Sequence, residues 1–276
     1  MFKSAGIWIG LAIMVVSEAA TLKQVEPFWS WNTPIAWTGF IIFADSVMYR
    51  ARGWSMMRST PKEFAALALL SIPLWVLFEG YNLLIKNWYY VGLPENVALR
   101  YFGYAWSFAT IWPAIFEGAD LVGVIRNSQP SSGGGKPPAM FSPGEVVSIA
   151  VGAFMLGSPF VSPAVVRPYL AAPVWLGFIF VLDPINRHLG GPSLLDDLHA
   201  GRHDRLINIL ASGVLCGFLW EFWNYWSRAK WHYTVPIMEN VKIFEMPVPG
   251  YLGFPAFALE CFTMYIFVQC LYQRWS

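Results

Sequence analysis

The sequence predicts an all-α membrane protein of about eight transmembrane helices arranged as two parallel four-helix repeats. Three observations carry that prediction. The 276-residue chain is 56% hydrophobic and only 13% charged, against about 25% charged in an average soluble domain. Its apolar residues gather into long segments separated by charged or Pro/Gly-rich stretches. One ordered series of short motifs also occurs twice, which is the mark of a duplicated chain.

A bilayer core takes about 20 apolar residues per helix, within a range of about 17–25. Segments of that kind lie near 5–21, 34–49, 65–83, 101–122, 144–163, 171–186, 206–227 and 250–272. The first has Lys3 ahead of it and Glu18 near its end, without a clear small-residue cleavage site. It reads as a helix rather than a removed signal peptide. The second and sixth are the shortest. Strand-like alternation is absent, so helices are the spanning element. The run NSQPSSGGGKPPAMFSP, 127–143, is a flexible linker by composition. It divides a first repeat, 1–126, from a second, 144–276. The net charge of +1 leaves no basic excess for nucleic acid. Cys216, Cys261 and Cys270 lie in or beside apolar segments without a CxxC or metal spacing, and read as small core residues.

Orientation follows from Lys and Arg. With the N-terminus inside, Lys3, Arg50, Arg52, Arg58, Lys62, Arg126, Lys136, Arg187, Arg202, Arg205 and Arg274 fall on one side. Lys23, Lys86, Arg100, Arg167, Arg228, Lys230 and Lys242 fall on the other. The asymmetry puts both termini in the cytoplasm, in a multi-pass protein of the plasma (inner) membrane. Trp29, Trp31, Trp88, Tyr89, Tyr90, Trp226, Trp231 and Tyr233 crowd the outer ends, where an interfacial aromatic belt is expected.

The duplication is read from ordered matches. Trp37, Gly39, Phe40, Ile41 and Asp45 recur as Trp175, Gly177, Phe178, Ile179 and Asp183, at a constant offset of 138. Glu79 and Asn82 match Glu221 and Asn224, and Trp88 and Tyr90 match Trp231 and Tyr233. Glu95-Asn96-Val97 matches Glu239-Asn240-Val241, and Glu117 after Pro113 matches Glu260 after Pro255. The drifting offset assigns the insertions to loops. Four helices per half return the chain to its starting side. The halves are therefore expected to be related by an axis along the membrane normal.

Four matched pairs are acids. Glu95 and Glu239 fall in outer loops, whereas Asp45, Asp183, Glu79, Glu221, Glu117 and Glu260 lie in or near apolar spans. A charge at the bilayer centre costs about 2.5–3.5 kcal/mol, so these acids need partners, protons or a wet cavity. Asn82 and Asn224 follow their glutamates by three residues, on one helical face, in position to hold the carboxyl group. Two readings stand: polar groups that join the helices, or a cavity lining in which some acids move protons. On the second reading the catalytic candidates are Glu221, Glu260, Glu79 and Glu117. Glu221 leads because its surroundings are richer in Trp, and Glu260 is its second acid. The substrate-binding candidates are Asn224, Asn82, Trp220, Trp223, Asp45 and Asp183.

Other motifs carry less. LLDDLHAGRHDR, 194–205, holds an HxxxH pair in His199 and His203, but Gly201 lies between them and Arg202 and Arg205 flank the second. A solvated cytoplasmic loop is expected there rather than a metal site. Asp196-Asp197 lacks a second acid-rich partner for Mg²⁺. There is no nucleophile elbow, P-loop or dinucleotide fingerprint. Neither a metal nor a cofactor is expected.

The run Trp231-His-Tyr233, Pro249-Gly250-Tyr251-Leu-Gly253-Phe-Pro255, Glu260 and Phe262 resembles the membrane-integral lycopene cyclase and carotenoid hydratase group. A fainter copy is Trp88-Tyr-Tyr90, Gly103-Tyr104, Pro113 and Glu117. The resemblance covers the last third of each repeat. It implies proton-initiated, redox-neutral cyclisation or hydration of an isoprenoid double bond, without nucleotide or metal. Aromatic faces would stabilise the carbocation. The group is expected to carry two adjacent acids after the proline, whereas here Glu260 precedes Cys261 and Glu117 precedes Gly118. Three functions are expected in competition. One is an enzyme on a long apolar isoprenoid or carotenoid-like lipid. Another is a non-catalytic lipid- or pigment-binding subunit, with a membrane protein partner or a second copy of itself. The last is a proton- or cation-coupled transporter.

Overall fold

The computed structural model describes residues 4–128 and 133–275. Lys3, counted above with the cytoplasmic charges, and 129–132 of the linker lie outside the described residues. The described residues are all-α in architecture, with ten α-helices: α1 (Ala5–Leu22), α2 (Phe28–Arg52), α3 (Met56–Ser59), α4 (Pro61–Ile85), α5 (Val97–Ile125), α6 (Pro143–Val161), α7 (Ala171–His188), α8 (Leu194–His199), α9 (Asp204–Trp226) and α10 (Gly253–Trp275). Eight of them are long and coincide with the eight apolar segments. Six are long and apolar enough to cross a membrane: α1, α4, α5, α6, α9 and the stretch Val248–Arg274 that contains α10. This makes the chain a multi-pass integral membrane protein. The helices α2 and α7 are long enough but less apolar, since each carries its aspartate and ends on basic residues.

Local signals set the helix ends. Ser142 and Glu145 form a reciprocal capping box at the start of α6, with Pro143 in its first turn. The Asn96 side chain accepts from Leu99 N at the start of α5. The start of α8 is capped by Ser193, which accepts from Asp196 N. The helix α2 ends at Gly53 in the left-handed region, φ 71°.

The two halves use the same neighbours. In the first, α1 packs on α2, α2 on α5 and α5 on α4; in the second, α6 packs on α7, α7 on α10 and α10 on α9. Small residues set the closest approaches. A Cβ on Gly10 would stand 2.5 Å from the Gly39 carbonyl oxygen, and one on Gly152 would stand 2.7 Å from that of Gly177. The halves meet along α5 and α9. There Ser212 Oγ donates to the Ile115 carbonyl at 2.7 Å, and Trp112 Nε1 donates to the Cys261 carbonyl on α10 at 3.0 Å. Aromatic pairs also cross between halves: Trp37 and Trp220 at 6.0 Å, and Phe78 stacked on Trp175 at 5.0 Å.

Two stretches carry structure that the sequence reading did not assign. Trp88–Val91 and Lys230–Tyr233, whose aromatics were expected in an interfacial belt, are strands β1 and β2, which pair antiparallel. Trp, Tyr and Val favour that conformation. The turn after β1 requires Gly92, whose φ is 64° and whose added Cβ would collide with the Arg228 carbonyl. A small second pair, β3 (Lys242–Ile243) and β4 (Met246–Pro247), follows β2. The stretch 194–205 is not a solvated loop. It contains α8 and a buried Asp197 paired with Arg202 and Arg205, each at 2.8 Å.

Candidate functional site

Directly opposed residues of an antiparallel ribbon share a face, and successive residues alternate between faces. Trp88 lies opposite Tyr233, and Tyr90 opposite Trp231. Two Trp and two Tyr therefore occupy one face, with Tyr89 and His232 on the other. The first face closes one end of a cavity of about 520 Å³, within the range of small-molecule sites, about 300–1,000 Å³. Its walls come from helices of both halves: Trp37 of α2, Trp75 of α4, Phe108 and Ile111 of α5, Trp175 of α7, Trp220 of α9 and Phe257 of α10. Trp75 is central, with ring centroids 5.5 Å from Trp220, 5.7 Å from Phe257 and 6.1 Å from Trp88.

Two of the matched glutamates stand behind this lining. On α4, Glu79 Oε1 accepts from Trp75 Nε1 at 2.9 Å, from Trp88 Nε1 at 3.2 Å and from the Tyr90 hydroxyl. On α9, Glu221 Oε1 accepts from the Tyr233 hydroxyl at 2.8 Å, and that hydroxyl accepts from Trp231 Nε1 at 2.9 Å. Glu221 is fully buried and its Oε2 meets no hydrogen-bond partner. The side chains that face the cavity are Tyr90 and Tyr233 rather than the glutamates. Burial, with the adjacent Glu79 and Glu221, holds both phenols well above their usual pKa, so they remain protonated.

The other candidates sit elsewhere. Asn82 and Asn224 do not hold the carboxyl groups. Asn82 Oδ1 accepts from Asn87 N and Trp88 N while its Nδ2 donates to the Trp88 carbonyl. Asn224 exchanges the same pair of bonds with the backbone of Trp231, each at 2.9 Å. Both amides thus fasten a strand to the helix before it. Asp45 accepts from Met57 N and Arg58 Nε, each at 3.1 Å. Asp183 accepts from Leu194 N at 2.7 Å, Leu195 N at 2.9 Å and Ser193 Oγ at 3.0 Å. These aspartates secure the starts of α3 and α8. Glu117 and Glu260 are buried, and among the described residues their oxygens meet no partner at ordinary hydrogen-bond geometry. Glu117 lies within electrostatic reach of Asp45 and Asp120, and Glu260 within reach of Tyr81, Cys261 and the Phe178 backbone. Glu260 is not joined to Glu221. Trp220 lines the cavity, whereas Trp223 packs edge-on against Trp37 at 4.8 Å.

Sequence reasoning missed Tyr90, Tyr233, Trp75 and Trp175 as lining groups. The signal for the tyrosines is the repeated W-x-Y spacing, whose period of two puts both aromatics on one face of a strand. Beside the ribbon, Glu245 links Lys230 at 3.0 Å and His232 at 2.8 Å. Burial raises its carboxyl pKa, but the hydrogen bonds and charges of those two partners outweigh burial and hold it below its usual value. Among the described residues no three His, Cys, Asp or Glu side chains gather into a metal site. No family model matches the chain, and neither does any curated protein or solved structure.

Proposed function

We propose that this chain is an integral membrane enzyme that draws a long isoprenoid-like lipid into the aromatic cavity and acts on it by acid-initiated, redox-neutral chemistry. One observation carries the reading: a Trp-lined cavity is bordered by two tyrosines, the hydroxyl of each bonded to a matched buried or half-buried glutamate. Eight helices in two parallel repeats build it, 1–126 and 144–276, with both termini cytoplasmic. The shared order of helix neighbours supports the repeat. So does the ribbon, in which Trp88 opposes Tyr233 and Tyr90 opposes Trp231. That reciprocal pairing is what a two-fold axis between equivalent residues generates.

The chemistry starts at Glu221. When its Oε1 carries the proton, the bond to Tyr233 reverses: the carboxyl donates to the phenol oxygen, and the phenol O–H turns to the cavity. The phenol proton passes to a double bond of the lipid while the carboxyl proton replaces it, so Tyr233 ends neutral and Glu221 ends as carboxylate. The carbocation left on the lipid lies among the faces of Trp75, Trp175 and Trp220, which attract it. Loss of a proton back to the carboxylate completes a cyclisation. Capture of water, with loss of its proton to the carboxylate, completes a hydration. No oxidant or cofactor enters either balance.

The test begins with the lipid that leaves the membrane with the purified protein, identified by mass spectrometry. Wild type converts it to a product of unchanged mass or one heavier by a water. Tyr233→Phe and Glu221→Gln each lower turnover by about a hundredfold or more and leave thermal unfolding nearly unchanged. Full turnover in either variant contradicts the mechanism. Bound lipid without turnover in wild type moves the protein to the lipid-binding class.

A further inference from the structure

Among the described residues the cavity lining contains two cations, Arg100 and Lys230, and no carboxylate. Lys230 is already paired, since its Nζ lies 3.0 Å from Glu245 Oε1 and 3.2 Å from the Tyr225 carbonyl. Arg100 is different. Its Nε donates to the Pro94 carbonyl at 3.0 Å, which anchors the guanidinium and leaves its two terminal nitrogens for another acceptor. Among the described residues no carboxylate lies within ion-pair distance of Arg100. The side chain is half-buried and within electrostatic reach of Tyr104, itself a lining residue. It also projects from the first turn of α5, a helix of 29 residues. The positive end of the helix dipole disfavours a cation there and favours an anion. An arginine without a carboxylate partner at that end, beside a predominantly apolar chamber, is complementary to one ligand chemistry. We propose that the bound lipid is an amphiphile with an anionic oxygen headgroup, a phosphate or a carboxylate, and that Arg100 holds that headgroup while the tail lies among the tryptophans.

This inference rests on the lipid-cavity reading, and its test separates the two. The full chain is placed in nanodiscs of zwitterionic lipid. Binding of four radiolabelled probes is measured against empty discs: farnesyl monophosphate, farnesol, palmitate and hexadecanol. At least one anionic lipid is expected to bind about tenfold more tightly than its neutral alcohol, the worth of a charge-assisted hydrogen bond. Arg100→Gln erases that ratio and leaves the alcohol's affinity unchanged, whereas Arg100→Lys keeps part of it. Inorganic phosphate at the same concentration displaces nothing. The inference is overturned if the anionic and neutral lipids bind alike, if Arg100→Gln leaves the ratio intact, or if inorganic phosphate displaces the lipid. In all three cases bound alcohol keeps the lipid-cavity reading standing. If none of the four probes binds, that reading falls as well.

Discussion

Glu79 and Glu221 occupy matched positions and bond to matched tyrosines, yet they differ in what surrounds them. Glu79 gathers three donors on one oxygen, from Trp75, Trp88 and Tyr90. Glu221 receives the Tyr233 hydroxyl, with Trp231 next to it, and among the described residues its Oε2 has no partner. On the proposed mechanism the first arrangement holds a wall together, and the second leaves a carboxyl group available to exchange a proton. Truncation separates the two roles. Glu79→Ala strands three donors and is expected to destabilise the protein by about 1–3 kcal/mol. Glu221→Ala strands one donor and removes an oxygen that had no partner, so its cost should be smaller. Denaturant unfolding in detergent micelles compares them, and an equal or reversed order contradicts the assignment. A carboxylate inside an apolar run drew attention to Glu221 from the sequence. Its hydrogen-bond partner, Tyr233, lies twelve residues away on a strand, and no helical spacing could have joined them.

At the scale of elements, the ribbon is the feature that organises the site. Its strands come from different halves, and each is tied to the preceding helix by one asparagine, Asn82 for β1 and Asn224 for β2. Asn82→Ala or Asn224→Ala removes an acceptor from backbone N–H groups and a donor from a backbone carbonyl. Each is expected to lower stability by about 1–3 kcal/mol and to speed amide hydrogen exchange in both strands, since one cannot detach without the other. Protection unchanged in the partner strand would contradict that coupling. The long helices were legible because an apolar run of sufficient length has few alternatives. The strands were not, because aromatic residues near a membrane boundary suit an interfacial belt equally well. The pairing partner of Trp88 is also 145 residues distant, and only the repeated W-x-Y alternation hinted at it. The short helices α3 and α8 escaped notice for a related reason. Their starts are fixed by Asp45 and Asp183, acids that sequence reasoning placed in a substrate site.

At the scale of the molecule, eight long helices bury a Trp-rich interior between two halves with the same neighbour order. The proposed orientation is open to a direct check. Cys216, Cys261 and Cys270 are buried, so cysteines introduced at exposed positions report with little background. Ala51→Cys and Ala200→Cys should resist an impermeant reagent in intact cells, whereas Glu95→Cys and Glu239→Cys should react. The reverse pattern inverts the topology. The central claim is that the cavity houses a lipid, and Gly103 gives the most direct access to it. This residue lines the cavity, and a Cβ built there meets nothing within 4 Å. Gly103→Trp therefore has open space at its Cβ and is expected to put an indole into the chamber. The deciding measurement is native mass spectrometry of wild type and Gly103→Trp, released from the same detergent. The account predicts a bound long-chain lipid on wild type and none on the folded variant. Bare wild-type protein, or the same lipid held equally by Gly103→Trp, would contradict it.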